Sequence, residues 1–303
     1  MGLSVTVEKL IKDFEMEVLV EGDKNKEVHV NDINRPGLQL SGFYNYFAPE
    51  RIQVIGKAEW SFLDDMGEDL RKKRIKKYVN FNLNCIVITR DLEPHEELVK
   101  AAKEKNIWLI RTKLVTTKFM SKMTIYLAGQ LAPETRLHGV LVDVYGIGIL
   151  ITGESGIGKS ETALELIKRG HRLITDDAVD IKEIDGELIG SSPRITIGML
   201  EVRGIGIIDV AALYGLSSIL QEKDIKLLMH FEHWKDDGDY DRLGLNDDRE
   251  DILGVKVKKL RIPVRPGRNI AVIIEAAAVN YRHSLMSEVT PVDIIESRMD
   301  KIN

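Results

Sequence analysis

The stretch ITGESGIGKSE, residues 151–161, contains residues whose types and spacing are typical of phosphate binding. Gly153, Gly158, Lys159 and Ser160 match the pattern G-x-x-x-x-G-K-[ST], in which successive backbone N–H groups surround phosphate oxygens. In this pattern the lysine reaches the outer phosphates and the hydroxyl serves Mg²⁺. We therefore predict a nucleotide site with Mg²⁺. The predicted cradle comprises Gly153, Glu154, Ser155, Gly156, Ile157, Gly158, Lys159 and Ser160.

An acidic pair follows the cradle at a distance that suits the same site. A helix predicted for 159–168 leads to a strand predicted for 171–175, which ends at Asp176 and Asp177. A right-handed crossover makes that strand parallel to the one before the cradle, so both end at one edge of the sheet. There one carboxylate can orient Mg²⁺ and the other can act as a base. The competing interpretation is a solvated acidic turn.

A hairpin predicts the position of one histidine. The strand-like runs 139–144 and 147–152 are separated by two residues, which is the spacing of a tight β-hairpin. Continued pairing in that register puts His138 opposite Gly153. We expect His138 beside the mouth of the cradle, although a histidine at a strand start is more often a surface residue.

Three later stretches could contribute charge. Glu201 and Arg203 occupy alternate positions of a predicted strand, hence one face. The segment 262–269 places two arginines in a proline-rich turn that could clasp a phosphate or a carboxylate. Either stretch could equally be structural. The polar segment 236–251, which contains Arg242, is predicted to be an exposed, mobile loop.

The elements that must position these residues alternate between helix and strand, which predicts an α/β fold. A proline at 133 follows a predicted helix over 116–131 and indicates a domain boundary near residue 130. We predict a smaller N-terminal α/β domain over 1–130, for assembly or regulation, and a P-loop catalytic domain over 131–303. The N-terminal elements are predicted as helices 5–14, 94–105 and 116–131 and strands 18–20, 52–55, 85–88 and 108–110.

Composition limits the partners. The 303 residues are 44% hydrophobic and 30% charged, with a formal net charge of -5, so nothing global favours nucleic acid or an anionic membrane. No apolar run has the length of a signal core or a membrane span, and we expect a cytoplasmic protein. The basic run 71–77 is better explained as a solvated helix face than as an RNA site. Cys85 is expected to be a buried thiol.

Taken together, these segments resemble the HPr kinase/phosphorylase family. The resemblance rests on R-L-H-G at 136–139, G-E-S-G-I-G-K-S at 153–160, I-T-D-D at 174–177, L-E-V-R-G-I-G-I-I-D at 200–209, Y-D-R-L-G-L at 240–245 and P-V-R-P-G-R-N at 263–269. The motifs occur in the family's order and cover residues 130–285, whereas the N-terminal part offers no motif.

The resemblance implies an ATP-dependent kinase that phosphorylates a regulatory serine of the phosphocarrier protein HPr. It also implies a phosphorylase in which inorganic phosphate removes the same phosphoryl group and gives pyrophosphate. Such enzymes serve carbon catabolite repression and the control of sugar uptake. A catalytic domain similar to the nucleotide-binding core of PEP carboxykinases and assembly into homohexamers are implied as well.

The resemblance and the chemistry of the side chains assign the same roles. Asp177 would take the serine proton and return it in the reverse reaction, while Lys159 would neutralise the transferring phosphoryl group. Ser160 and Glu201 would hold Mg²⁺. His138 would orient or polarise a phosphate, and Arg242 would meet charge on the transition state or the protein substrate. The predicted catalytic residues are therefore His138, Lys159, Asp177 and Arg242.

Other positions are expected to support the mechanism. These are Asp176, Arg203 and the segment Pro263, Val264, Arg265, Pro266, Gly267 and Arg268, which the resemblance links to phosphorolysis. Two alternatives stay open. A P-loop kinase of a small metabolite would need a closed pocket with a lid, and an ATP-binding regulatory module would need Asp177 to lie away from the γ-phosphate.

Overall fold

The computed structural model describes residues 3–234 and 248–286. The chain divides between Ala132 and Pro133 into two compact units, and each has its own β-sheet. The α/β class predicted from the sequence is confirmed. Among the described helices, none combines the length and the apolar character needed to cross a bilayer.

The first unit is built on a five-stranded sheet in the order β2-β7-β6-β5-β4, in which β4 to β7 are parallel and β2 is antiparallel to β7. Its elements are β1 (Val5–Thr6), α1 (Val7–Asp13), β2 (Glu17–Val20), β3 (Glu27–Val28), β4 (Ile33–Asn34), α2 (Gly37–Ser41), β5 (Ile52–Ile55), α3 (Lys57–Asp64), α4 (Glu68–Tyr78), β6 (Cys85–Ile88), α5 (Glu96–Lys105), β7 (Trp108–Arg111) and α6 (Thr116–Gln130).

Both faces of this sheet are covered, as its continuous apolar strands require. Along β6, Ile86 and Ile88 pack with the helices α3 to α5, whereas Cys85 and Val87 pack with α1 and α6. Burial raises the pKa of the Cys85 thiol to about 12, which agrees with the expected inert thiol. The basic run lies on α4 with its four lysines exposed, and this matches the predicted solvated helix face.

One predicted helix begins later than expected. Residues Val5 and Thr6 form the strand β1 paired with β3, and the helix starts at Val7. The Thr6 hydroxyl accepts a hydrogen bond from the Lys9 backbone N–H at 3.3 Å. This side-chain cap satisfies one of the free donors of the first turn and fixes the helix start there.

The second unit contains a larger sheet and the candidate site. Its elements are β8 (Glu134–His138), β9 (Val140–Val144), β10 (Ile147–Gly153), α7 (Lys159–Lys168), β11 (Arg172–Thr175), β12 (Ala178–Ile184), β13 (Glu187–Ser191), β14 (Met199–Val202), β15 (Gly206–Asp209), α8 (Val210–Tyr214), a 3₁₀ turn (Leu216–Ser218), β16 (Glu222–His233), β17 (Arg249–Ile252), β18 (Val255–Val264) and α9 (Ile270–Ser284).

Strand order brings the two phosphate-site segments to one edge. The main sheet of the described residues runs β11-β9-β10-β16-β13-β12-β8, and β18 also pairs with β16. Because β9 is antiparallel to both β10 and β11, these two strands are parallel with β9 between them. The predicted orientation of the crossover is confirmed, and the loop after β10 and the acidic pair after β11 lie at the same edge.

Two hydrophobic layers hold this sheet rigid. One face of β9, β10 and β16 packs against α7 and α9, with Ile149 and Met229 in the same cluster as Leu166 and Ile274. The other face forms a second cluster that includes Leu150 with residues of β12, β13 and β18. Each fully buried aliphatic side chain contributes about 1.5–3 kcal/mol. The ends of β10 and β11 are therefore well anchored.

The prediction of an exposed loop over 236–251 is partly wrong. Arg249 to Asp251 belong to β17, which pairs antiparallel with β18 in the register Arg249↔Lys258. The polar side chains there belong to a strand at the margin of the sheet, where polar residues face solvent. Residues 235–247 lie outside the described part of the chain.

Candidate active site

The phosphate loop connects β10 to α7. Gly153, the last residue of β10, has φ 144°, and a side chain there would lie 2.6 Å from the Phe231 carbonyl oxygen on the neighbouring β16. Only glycine fits this close approach without a shift of the backbone. The loop ends at Gly158, and α7 begins at Lys159, so the free N–H groups of the first helical turn face the loop. Free N–H groups at the start of a helix are a common anion site, and phosphate binding by the cradle stays a prediction.

Lys159 lies inside this loop. Its ammonium group donates hydrogen bonds to the carbonyl oxygens of Gly153 at 2.9 Å and Glu154 at 3.0 Å, and the residue is only 7% exposed. Burial lowers the pKa of Lys159, while the nearby carboxylates of Asp176 and Asp177 oppose that shift. The cation is thus held at the loop, close to both acidic residues.

Asp176 connects three segments of the site. The Ser160 hydroxyl donates to Asp176 Oδ1 at 3.0 Å, and the Glu201 backbone N–H donates to Asp176 Oδ2 at 3.0 Å. The residue is 5% exposed, and this burial raises the pKa of its carboxyl group, against the effect of the two hydrogen bonds. The acidic pair is therefore not a fully solvated turn, because its first member is buried and bonded.

Asp177 is exposed and paired with a histidine. His138 Nδ1 lies 3.1 Å from Asp177 Oδ1, with the two side chains 53% and 73% exposed. Asp177 has φ 69°, a left-handed conformation that aspartate tolerates better than most residues. Strained backbone of this kind is common at functional sites. A carboxylate oriented by an imidazole can accept a proton from a substrate hydroxyl.

The position of His138 differs from the one expected from the hairpin. The β9–β10 pairing follows the predicted register, but it ends at Val140↔Ile151 and does not bring His138 opposite Gly153. His138 instead ends β8 and pairs with Ala178 of β12. The chain leaves the hairpin at 139, where a side chain would lie 2.6 Å from the Ile151 carbonyl oxygen. The histidine therefore meets the carboxylate of Asp177.

Glu201 and Arg203 lie on a hairpin beside the loop. Val202 is the last residue of β14, so Arg203 belongs to the turn and the two do not share one strand face as expected. Both residues are exposed. Arg203 Nη2 donates to the Ser155 hydroxyl at 3.3 Å, which joins the hairpin to the phosphate loop.

The two arginines of the turn after β18 have different partners. Arg268 Nη1 donates to the Pro263 carbonyl oxygen at 2.7 Å, which closes the turn on itself. The Arg265 guanidinium lies 4.7 Å from the centre of the Trp234 ring, a cation–π contact. The remaining donors of both groups can meet an anion, whereas Val264 and Gly267 line a cavity next to the loop. Arg242 lies outside the described residues.

The donors at the site fit Mg²⁺. The Ser160 hydroxyl and the Asp176 carboxylate supply hard oxygen atoms 3.0 Å apart beside the loop. The described residues contain no cluster of three or more histidine, cysteine, aspartate or glutamate side chains able to hold a metal ion. The Mg²⁺ site stays a prediction.

Sequence reasoning missed two histidines of β16. His230 Nδ1 lies 3.0 Å from the Thr152 hydroxyl, and His233 Nε2 lies 3.7 Å from Glu154 Oε2. The first pair, together with His138, lines an open cavity of about 410 Å³, here called the histidine cavity. Both histidines lie in β16, far from the motif in sequence, and only knowledge that β16 pairs with β10 would have identified them.

Comparisons with known proteins identify the family to which the chain belongs. The family model described as HPr Serine kinase C-terminal domain matches residues 129–299, and the model described as HPr Serine kinase N terminus matches residues 5–127. A Clostridium perfringens protein named HPr kinase/phosphorylase is 74% identical over 297 residues, 98% of this chain and 97% of that protein.

A Clostridium botulinum protein of the same name is 74% identical over 301 residues, which are 99% of this chain and 99% of that protein. A solved structure, the Hpr(Ser) kinase/phosphatase from Coxiella burnetii, is 37% identical, with a TM-score of 0.47 over 50% of this chain and 93% of that one. From the family models and the near full-length identity, the chain belongs to the HPr kinase/phosphorylase family.

Proposed function

We propose that this protein phosphorylates a serine of the phosphocarrier protein HPr with ATP and, in reverse, removes the phosphoryl group with inorganic phosphate to give pyrophosphate. The observation that carries the proposal is the pair Asp177 and His138 at the edge where Lys159 and Ser160 meet Asp176. The exposure of the Asp177 side chain supports the proposal, because a hydroxyl on a protein surface can reach an exposed carboxylate.

In the forward direction the serine oxygen attacks the γ-phosphorus of ATP and the bond to ADP breaks. Asp177 accepts the serine proton, and His138 keeps that carboxylate oriented. The Lys159 ammonium and the N–H groups at the start of α7 stabilise the charge on the transferring group. Bound Mg²⁺ would neutralise further phosphate charge, with Ser160, Asp176 and Glu201 as the residues that would hold it.

In the reverse direction an oxygen of inorganic phosphate attacks the phosphoserine phosphorus. The bond from phosphorus to the serine oxygen breaks, pyrophosphate forms, and Asp177 returns the proton to the departing oxygen. The exposed side chain of Asp177 suits both directions because it can exchange its proton with either substrate. We further propose that Arg242 and the turn 263–268 assist at the phosphates, that the protein acts in the cytoplasm, and that it assembles as a homohexamer.

The experiment that tests the proposal uses the purified full chain. With HPr, ATP and Mg²⁺, mass spectrometry should find one phosphoryl group on a serine of HPr. With that product, Mg²⁺ and inorganic phosphate, pyrophosphate should appear in equal amount to the HPr released. Release of free phosphate at a rate independent of added phosphate would refute the reverse reaction. Phosphorylation of small metabolites in place of HPr would favour the alternative kinase class.

A further inference from the structure

The first unit contains an open cavity with a volume of about 910 Å³. Its walls are the turn between α1 and β2, the end of β7 with the loop that follows it, and α6. Small-molecule sites have volumes of about 300–1,000 Å³, so the space suits a ligand of that class. We call it the sheet-edge cavity.

The cavity lies where ligands of open α/β sheets bind. The strands β6 and β7 are parallel neighbours, but the helices that follow them cover opposite faces of the sheet. Leu98 of α5 packs with one face, and Phe119 of α6 packs with the other. Such a reversal opens a crevice at the carboxyl ends of the strands. Asp91, which follows β6, and Arg111, the last residue of β7, line the cavity at this point.

The backbone around the cavity is strained. Arg90, Asp91 and Glu15 have φ angles of 65°, 56° and 49°, and arginine and glutamate rarely adopt this left-handed conformation. Hydrogen bonds hold the first two in place: the Arg90 N–H donates to the Leu114 carbonyl oxygen at 2.9 Å, and the Asp91 N–H donates to the Thr112 carbonyl oxygen at 3.0 Å. Strain of this kind is concentrated at functional sites, which supports a binding role for the cavity.

Most carboxylates of the lining are already bonded within the protein. The Tyr126 hydroxyl donates to Asp13. Arg111 Nε donates to Glu17 Oε2 at 2.8 Å and lies 3.4 Å from Asp91 Oδ1. The acidic side of the cavity is therefore largely satisfied without a bound cation.

Several donors of the lining have no such partner. Among the described residues, neither Lys113 nor Lys122 has a hydrogen-bond or ion-pair partner, and both are exposed. The hydrogen bonds of Arg111 use Nε and Nη1, which leaves Nη2. The Thr112 hydroxyl accepts from a backbone N–H and keeps its own proton to donate. Against these donors stands one carboxylate without a partner in the described part of the chain, Glu15. The unused groups therefore suit an oxyanion.

An apolar wall lies beside these donors. Lys122, Ile125 and Tyr126 lie three and four residues apart, on one face of α6. Ile125 is 71% exposed, and Phe14 and Leu114 also line the cavity. The apolar part of a ligand can therefore cover Ile125 while its anionic group meets the lysines.

We propose that the sheet-edge cavity binds a small organic anion. Its phosphate or carboxylate group meets Lys113, Lys122 and Arg111, and an apolar ring or chain packs against Leu114 and Ile125. The inference does not rest on the proposed function, because no residue of the cavity belongs to the phosphate site. It gives the N-terminal unit a ligand of its own.

The test uses phenyl phosphate and benzoate, which join either kind of anionic group to a ring. Calorimetry on the full chain, with Mg²⁺ and saturating ADP to occupy the phosphate loop, should show saturable binding of at least one probe. Lys113→Ala/Lys122→Ala removes two charged contacts and should weaken that binding about tenfold or more. Lys118→Ala is the matched control, because Lys118 is exposed on α6 and does not line the cavity. It should bind as the wild type does.

The stronger probe identifies the anionic group, and inorganic phosphate, which lacks a ring, should bind more weakly than phenyl phosphate. The proposal would be overturned if neither probe bound saturably, if the double variant kept the wild-type affinity, or if Lys118→Ala lost as much. A second measurement uses wild-type protein and needs no variant to fold. Photolysis with 4-azidobenzoate should label peptides that contain 13–17 or 111–126, and labelling confined to residues beyond 133 would contradict the inference.

Discussion

Replacement of Asp177 by asparagine should separate catalysis from binding and from folding. Asparagine has the shape of aspartate and also tolerates the left-handed backbone at this position, φ 69°. The change alters one contact with His138, in which the side chains of His138 and Asp177 are 53% and 73% exposed. Exposed pairs contribute about 0–1 kcal/mol, so the free energy of unfolding should fall by less than about 1 kcal/mol.

The effect on the reaction should be much larger. A positioned general base contributes a rate factor of about 10²–10⁴, equivalent to about 3–5 kcal/mol of the activation free energy. Turnover with saturating ATP and HPr should fall by that factor, and phosphorolysis should fall with it because the same carboxylate returns the proton. Affinity for ADP should stay within about twofold, since the loop and Lys159 are unchanged.

The assay compares three proteins: wild type, Asp177→Asn and Asp177→Ala. The alanine variant should lose a further 1 kcal/mol or so of stability, because a residue without a short polar side chain strains the left-handed conformation. Its turnover should match that of the asparagine variant. Unchanged turnover in Asp177→Asn would show that Asp177 is not the base. A loss of turnover in proportion to the fraction of unfolded protein would show that the role of Asp177 is structural.

The remaining predictions concern stability and reactivity. In urea titrations, Gly153→Ala should lower the free energy of unfolding by about 1–3 kcal/mol, because the added methyl group would lie 2.6 Å from a backbone carbonyl oxygen. The same change should abolish ADP binding. The control is Gly129→Ala, whose methyl group enters open space on a helix and should raise the free energy of unfolding by about 0.5–1 kcal/mol. Cys85 should react with a thiol reagent only as fast as the protein unfolds, since its thiol is buried and its pKa is about 12; fast labelling of native protein would contradict the fold. A hydrogen bond from Arg71 lowers the pKa of Glu97, so Glu97→Gln should lower the free energy of unfolding by about 1 kcal/mol at neutral pH. The difference between the two proteins should vanish as the pH falls through the lowered pKa of Glu97 in the folded state. A difference that stays constant with pH would exclude the ion pair as its cause.

Local patterns predicted the central part of the site well. The hairpin register from Val144↔Ile147 to Val140↔Ile151 and the bounds of α7 were readable, because turn spacing and helical periodicity act over a few residues. The parallel orientation of β11 followed from the crossover rule. These elements fix the phosphate loop and the acidic pair relative to each other.

Contacts between distant segments were not predictable in the same way. The hydrogen bond from the Glu201 backbone to Asp176 and the pairing of His138 with Ala178 depend on strands whose order no local pattern specifies. The contact of His230 with Thr152 depends on β16 lying beside β10. Each of these contacts joins residues far apart in sequence, and no local pattern in one amino-acid sequence indicates such a contact.

The main-chain origin of one contact bears on how the family can diverge. Asp176 is held by the N–H of residue 201, and every amino acid except proline carries that donor. Drift at this position can therefore alter or abolish the carboxylate of Glu201 without loosening Asp176. Selection on the side chain at position 201 is thus independent of selection on the hydrogen bond that holds Asp176. A relative that lost the glutamate would keep Asp176 in place, and a later substitution back to glutamate could restore the ancestral activity.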